Sequence, residues 1–198
     1  MSGWLTSQQE REPFLEAISI FLREGAKIPL PILRSGTNLV GFVDECEARQ
    51  SESFFHSFTR FLFEIDEQSF CFIWLPQGYK PSDQNESYPM YFFDSSQVDA
   101  KNFVRLQSSE DEEIFESDAW LLVSYSKRWA IYGEQYGSEM ALLLSRDDSV
   151  TAAMLGSFPE LITDPSTALA TIGDQSQTEE GAHFEREFLK NYSTVLVS

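Results

Sequence analysis

The chain predicts a single α+β domain over residues 1–198, with an aromatic-rich antiparallel or mixed sheet and N-terminal and C-terminal helices packed on it. Three observations predict this. Apolar residues recur at helical spacing near both ends of the chain. Short apolar runs of strand length, rich in Phe, Trp and Val, fill its middle. Hydrophobic side chains make up 42% and aromatic ones 14%, with 17 Phe. That composition holds enough apolar surface for a substantial core, at roughly 25 cal/mol per Å² removed from water.

The first helix rests on Phe14, Leu15, Ile18, Phe21 and Leu22, which form one stripe and predict an end near Glu24. Pro13 suits a first turn, where a missing N–H costs nothing, and Gly25 suits the position after the last turn. Pro29 and Pro31 then impose an extended connector. Leu39–Val43 predicts a first strand. Phe58, Phe61 and Phe63 lie in a run to Ile65 that reads as a strand, and Asp66–Gln68 reads as a turn into Phe70–Leu75, making a hairpin. Phe70–Leu75 is apolar on both faces, which predicts a central strand.

Residues 76–89 form a long polar loop rich in turn formers, followed by a short strand at Met90–Phe93. The acidic stretch of 108–118 reads as a loop or frayed helix. A second hairpin pairs Trp120–Tyr125 with Arg128–Tyr132 across Ser126 and Lys127, and Met140–Leu144 predicts a further strand. After Asp148 the pattern turns helical, with helix starts at Asp164–Pro165 and at Thr178. The last helix places Phe184, Phe188 and Leu189 on one face, and Thr194–Val197 reads as a terminal strand or docked tail. A flexible connector is expected around 173–182.

The net charge is −18, and residues 61–120 carry 13 acidic against 3 basic side chains. Such a surface repels nucleic-acid phosphates and anionic membranes, whose binding depends on Lys and Arg. It attracts a basic partner and speeds the encounter. The acid centres on Glu110, Asp111, Glu112, Glu113, Glu116 and Asp118, with no Lys or Arg among them. This group reads either as a solvated loop or as a docking patch for a basic protein. The Ca²⁺-binding loop pattern is missing, and nothing sets a glycosidase carboxylate separation.

The N-terminal residues show neither a basic region nor an apolar one, and no apolar run reaches membrane-span length, which predicts a cytoplasmic protein. Cys46 and Cys71 are too few for a disulfide framework or a zinc site, and both read as buried reduced thiols. Phosphate-loop, dinucleotide-turn, zinc-helix and nucleophile-elbow motifs are absent. His56 and His183 read as structural or solvent-edge residues. Asn85 and Asn191 head glycosylation sequons that read as chance matches. No catalytic residue, metal or cofactor is therefore expected.

Trp120, Tyr125, Trp129, Tyr132 and Tyr136 are placed to form an aromatic ladder on one sheet face, as core or as an interface anchor. The stretch Asp118-Ala119-Trp120-Leu121-Leu122-Val123-Ser124-Tyr125-Ser126-Lys127-Arg128-Trp129-Ala130-Ile131-Tyr132-Gly133-Glu134 resembles the aromatic hairpin of small immunity proteins from bacterial polymorphic toxin systems. The resemblance implies an acidic, cytoplasmic, non-enzymatic α+β protein that binds a basic toxin, and it carries over no catalytic residue. The expected partner-binding residues are the six carboxylates above with Trp120, Tyr125, Trp129 and Tyr132. Two other classes fit the same sequence: an acidic secretion chaperone or adaptor for an effector, and an enzyme with an unfamiliar carboxylate-based site.

Overall fold

A computed structural model describes residues 2–25, 28–29, 31–44, 48, 51–75, 88–101, 103, 119–134, 140–172 and 178–193. Among these, the elements run β1 (Gly3–Trp4), α1 (Gln8–Phe21), β2 (Asn38–Asp44), α2 (Glu52–Glu64), β3 (Ser69–Leu75), β4 (Met90–Asp94), β5 (Ala119–Ser124), β6 (Trp129–Glu134), β7 (Met140–Ser145), α3 (Asp148–Ser157), α4 (Pro165–Ile172) and α5 (Glu179–Tyr192).

The strands make one seven-stranded sheet in the order β1-β4-β3-β5-β6-β7-β2. Every pairing is antiparallel, which resolves the antiparallel-or-mixed expectation. Both faces are buried. One carries Cys71, Ile73, Leu121, Val123, Ala130, Tyr132 and Leu142 under α1, α4 and α5, through Phe14, Ile18, Phe21, Ala168, Phe188 and Tyr192. The other carries Phe70, Phe72, Trp74, Trp120, Leu122, Trp129 and Ile131 under α2 and α3, through Phe54, Phe58, Phe61, Val150 and Met154. A sheet covered on both sides demands strands that are apolar throughout, and β5, β6 and β7 are buried at every position.

The predicted hairpin at 120–132 forms, with Trp120 opposite Gly133 and Leu122 opposite Ile131. The predicted hairpin at 58–75 does not. Phe58, Phe61 and Phe63 stand in α2, and β3 pairs with β4 and β5 instead. The helix wins because Phe54, Phe55, Phe58, Phe61 and Leu62 recur at helical spacing, and Ser51 caps the start by accepting from Ser53 N and Phe54 N. It ends on a left-handed Asp66 (φ 53°), with Asp66 N donating to Phe63 O and Glu67 N to Leu62 O. This Schellman closure uses the predicted 66–68 turn to join a helix, rather than a strand, to β3.

Both boundaries of α1, and the extent of the expected connector around 173–182, also differ from expectation. α1 starts before Pro13, at a capping box in which Ser7 accepts from Glu10 N and the Glu10 carboxylate accepts from Ser7 N. Pro13 therefore lies inside the helix, where it forgoes one backbone bond, and the buried face of Phe14, Ala17, Ile18 and Phe21 holds the helix together. The helix stops at Phe21 rather than near Glu24 because Leu22 leaves in extended geometry and bridges Leu33; Gly25 (φ 66°) belongs to the ensuing reversal. Residues 178–182 of the expected connector belong to the capped start of α5, where Thr178 Oγ1 accepts from Gly181 N. In α5 the buried face is Gly181, Phe188 and Tyr192, with Phe184 half-buried and Leu189 turned outward.

The outer edge of β2 is closed by reciprocal bonds between Phe42 and Ile162. Gly41, at a β-bulge, lets this segment approach: a Cβ there would lie 2.8 Å from the Leu161 side chain. Residues 76–87, Cys46 and 194–198 lie outside the described residues.

Candidate functional site

The four hairpin aromatics do not share a face. Alternation along β5 and β6 sends Trp120 and Trp129 toward α2 and α3, and Tyr132 toward α1 and α5. All three are buried, whereas Tyr125, in the turn, is 55% exposed and lies edge-on to Phe14. The expected single-face ladder is therefore split across the sheet. Tyr136 and the six carboxylates Glu110, Asp111, Glu112, Glu113, Glu116 and Asp118 lie outside the described residues.

Each buried aromatic has a defined setting. The Trp120 ring stacks on Phe72 with centroids 5.7 Å apart and covers Gly133, where a Cβ would come within 2.4 Å of the indole. The Trp129 ring meets Phe58, Phe61 and Phe70, and its indole N–H donates to Glu67 Oε2 at 3.2 Å. Glu67 is itself buried and also accepts from Ser126 Oγ at 2.6 Å. The Arg128 guanidinium closes the same corner by donating to Ile65 O at 2.8 Å. On the opposite face, the Tyr132 hydroxyl donates to Glu134 Oε1 at 2.9 Å, and the same oxygen accepts from Ile28 N at 2.7 Å. Burial pushes the neighbouring Tyr192 phenol above its ordinary range; the Glu134 charge acts in the same direction.

Register places several chain connections at one end of the sheet. Leu75 pairs with Ala119, Ala119 with Glu134, and Met140 with Asp44. The acidic stretch ends at Asp118, immediately before Ala119. Residues 76–87 leave from Leu75, 135–139 join Glu134 to Met140, and 45–47 follow Asp44. The turn at the opposite end carries Lys127 and Arg128.

A further aromatic residue, not singled out from sequence, lies at the sheet edge. Trp4 in β1 is 45% exposed. Its ring meets Trp74 at 5.5 Å and stands edge-on to Tyr91 at 5.3 Å. Trp74 in turn lies 4.3 Å from Phe72, which stacks on Trp120. A single Trp in a two-residue strand leaves no periodic signal, so pairing with β4 alone reveals its place.

His56 and His183 are exposed on the outer sides of α2 and α5. Cys71 is a buried free thiol whose pKa burial drives well above the ordinary value, partly opposed by the nearby Arg11 charge. Asn191 lies in the last turn of α5 and donates through Nδ2 to Pro29 O, within the core-side connector. Among the described residues, no group of three or more His, Cys, Asp or Glu side chains is arranged to hold a metal ion, and no helix is long and apolar enough to cross a membrane. No family model matches the chain, and neither characterised proteins nor solved structures show significant similarity to it.

Proposed function

We propose that this protein works by binding another protein, as an acidic immunity-type inhibitor that neutralises a basic bacterial toxin without a reaction of its own. The observation that carries this is the charge: −18 overall, with 13 of the acidic side chains in residues 61–120, in a stretch that runs up to the start of β5. Dense like charge is useful when the partner carries the opposite sign, because it raises the encounter rate. The resemblance of 118–134 to immunity-protein hairpins points the same way. In this reading the hairpin is the rigid support, since Trp120, Trp129 and Tyr132 are interior, and contact falls to the acidic stretch that precedes it in the chain.

The test is kinetic. Replacing Glu110→Gln, Asp111→Ser, Glu112→Gln and Glu113→Gln removes four of the six local charges. The on-rate for a co-purified basic partner then falls and its salt dependence flattens, while the off-rate changes little. A partner that proves acidic, or a fourfold variant that associates at the wild-type rate in low salt, refutes the reading. Phe63, 89% exposed on α2, favours one competitor, a chaperone or adaptor that offers apolar surface to a client. An obligate dimer by native mass supports that alternative.

A further inference from the structure

We propose that Arg34 and Arg146, with the turn at 34–37, form a seat for a compact dianion: a phosphate group, free or carried on a small molecule. The proposal does not depend on the inhibitor reading. The chain has 14 basic side chains against 32 acidic ones, so carboxylates are available to nearly every cation on its surface. Arg34 and Arg146 are both exposed, yet neither pairs with a carboxylate among the described residues.

Both guanidinium groups are pinned to the main chain where α1 ends. Arg34 Nε donates to Leu22 O at 3.1 Å. Arg146 Nη1 donates to Ile20 O at 3.1 Å and lies within 3.4 Å of Ser35 O and 3.3 Å of Thr37 Oγ1. The last turn of α1 holds no basic residue of its own, so these arginines also satisfy its terminal carbonyls. That task leaves donors over. Arg34 keeps both terminal nitrogens, and Arg146 keeps Nε and Nη2, with no partner among the described residues. Thr37 N closes the turn by donating to Arg34 O at 3.1 Å, and the exposed Ser35 and Gly36 N–H groups have no protein acceptor among the described residues. Gly36 (φ 79°) supplies the left-handed residue of the turn, and a Cβ there would lie 3.2 Å from Arg146 Nη2. Heads held in place with unused forks lose little entropy on taking a ligand, and the fork matches phosphate oxygens.

Charge fixes the sign and the size of the occupant. Arg23 adds a third cation across the Leu22–Leu33 bridge, with its Nε donating to Leu33 O at 2.7 Å. The neighbouring carboxylate of Asp147 is turned to Ser149 N and Val150 N, and that of Glu16 to Lys127. Glu24, beside Arg23, is one opposing charge, and the α1 terminus contributes about half a negative charge. Three guanidinium groups outweigh both. Beyond a Debye length of about 8–10 Å, however, a ligand meets the field of a chain with net charge −18. Nucleic acid or an acidic protein surface is repelled there, whereas a single phosphate group engages only the local arginines through charge-assisted bonds.

The probe is inorganic phosphate, titrated into the full chain in place of chloride at constant ionic strength and followed by the Ser35 and Gly36 amide and Arg Nε–Hε resonances. The expected result is a saturable shift of these signals in wild type and an affinity loss of about tenfold or more in Arg34→Gln/Arg146→Gln, since charge-assisted bonds are removed. Phosphoserine as the free amino acid forms the second arm: matching shifts assign the seat to phosphate monoesters as well, and shifts with phosphate alone assign it to the free ion. The wild-type titration decides the site without any variant. Shifts that grow without saturating, or that are equal in the double variant, overturn the proposal. A deca-glutamate peptide or a DNA oligonucleotide that moves the same signals at lower concentration than phosphate assigns the arginines to an extended polyanion and also overturns it.

Discussion

Replacing Glu67 with Ala tests how the α2 corner is held to the hairpin. Glu67 is 6% exposed and Trp129 fully buried, and the carboxylate is the acceptor for both the Trp129 indole N–H and the Ser126 hydroxyl. Without it the indole N–H has no partner inside the core. An unsatisfied buried donor costs about 1–3 kcal/mol, and hydrogen bonds to a charged acceptor contribute about 1.5–3 kcal/mol, in overlapping measure. The expected loss is about 2–3 kcal/mol, or roughly 5–10 °C in Tm for a chain of this size. Glu67→Gln keeps a carbonyl acceptor for the indole and loses about 1 kcal/mol or less. The assay is urea unfolding followed by far-UV circular dichroism, extended to the double variant Glu67→Ala/Trp129→Phe. The cycle should give a coupling of about 0.5–3 kcal/mol, because removing the donor removes the penalty of leaving it unpaired. A Glu67→Ala protein within about 0.5 kcal/mol of wild type, the range of inert surface changes, refutes the reasoning. So does a Glu67→Gln protein as unstable as the Ala variant, which would make charge rather than the acceptor decisive.

Four further outcomes follow from other contacts. Gly133→Ala places a Cβ 2.4 Å from the Trp120 ring and lowers stability by about 1–3 kcal/mol in the same urea assay. Ser7→Ala breaks the α1 capping box and lowers it by about 0.5–2 kcal/mol. The Asp147 carboxyl is held below its ordinary pKa by the Ser149 side chain, then by Val150 N, so its charged form is favoured in the folded state. The advantage of wild type over Asp147→Ala is therefore complete above the unfolded-state value of about 4 and is lost as pH falls through the lower folded-state value, as thermal melts from pH 7 to 2.5 would show. Native Cys71 resists iodoacetamide and reacts once urea exposes it, because burial disfavours its thiolate; labelling of Cys71 at the native stage, read by peptide mass, contradicts this.

Local sequence determined the elements whose signals are self-contained. The hairpin of β5 and β6 was legible because two apolar runs flank a short polar turn, and the strands at 39–43, 70–75, 90–93 and 140–144 because each is an apolar run bounded by breakers. The helix starts at Thr178 and near Asp148 were legible because caps and periodicity coincide. The α2 segment was misread because phenylalanine suits both strands and buried helix faces; its helical spacing and Ser51 cap outweigh the aromatic bias once the segment packs on Phe70 and Trp129. Strand order lay beyond the sequence, since β3 finds β5 rather than its chain neighbour α2 through contacts distant along the chain. The same holds for the side-chain settings that matter for function. Trp129 and Tyr132 are three residues apart in β6, so strand alternation sends them to opposite faces and rules out the expected one-face ladder, but only the helices on both faces decide that Trp120, Trp129 and Tyr132 are all interior, and only pairing with β4 brings Trp4 beside Tyr91 at the surface. A residue's face is local geometry, whereas its exposure depends on what the rest of the chain lays over that face.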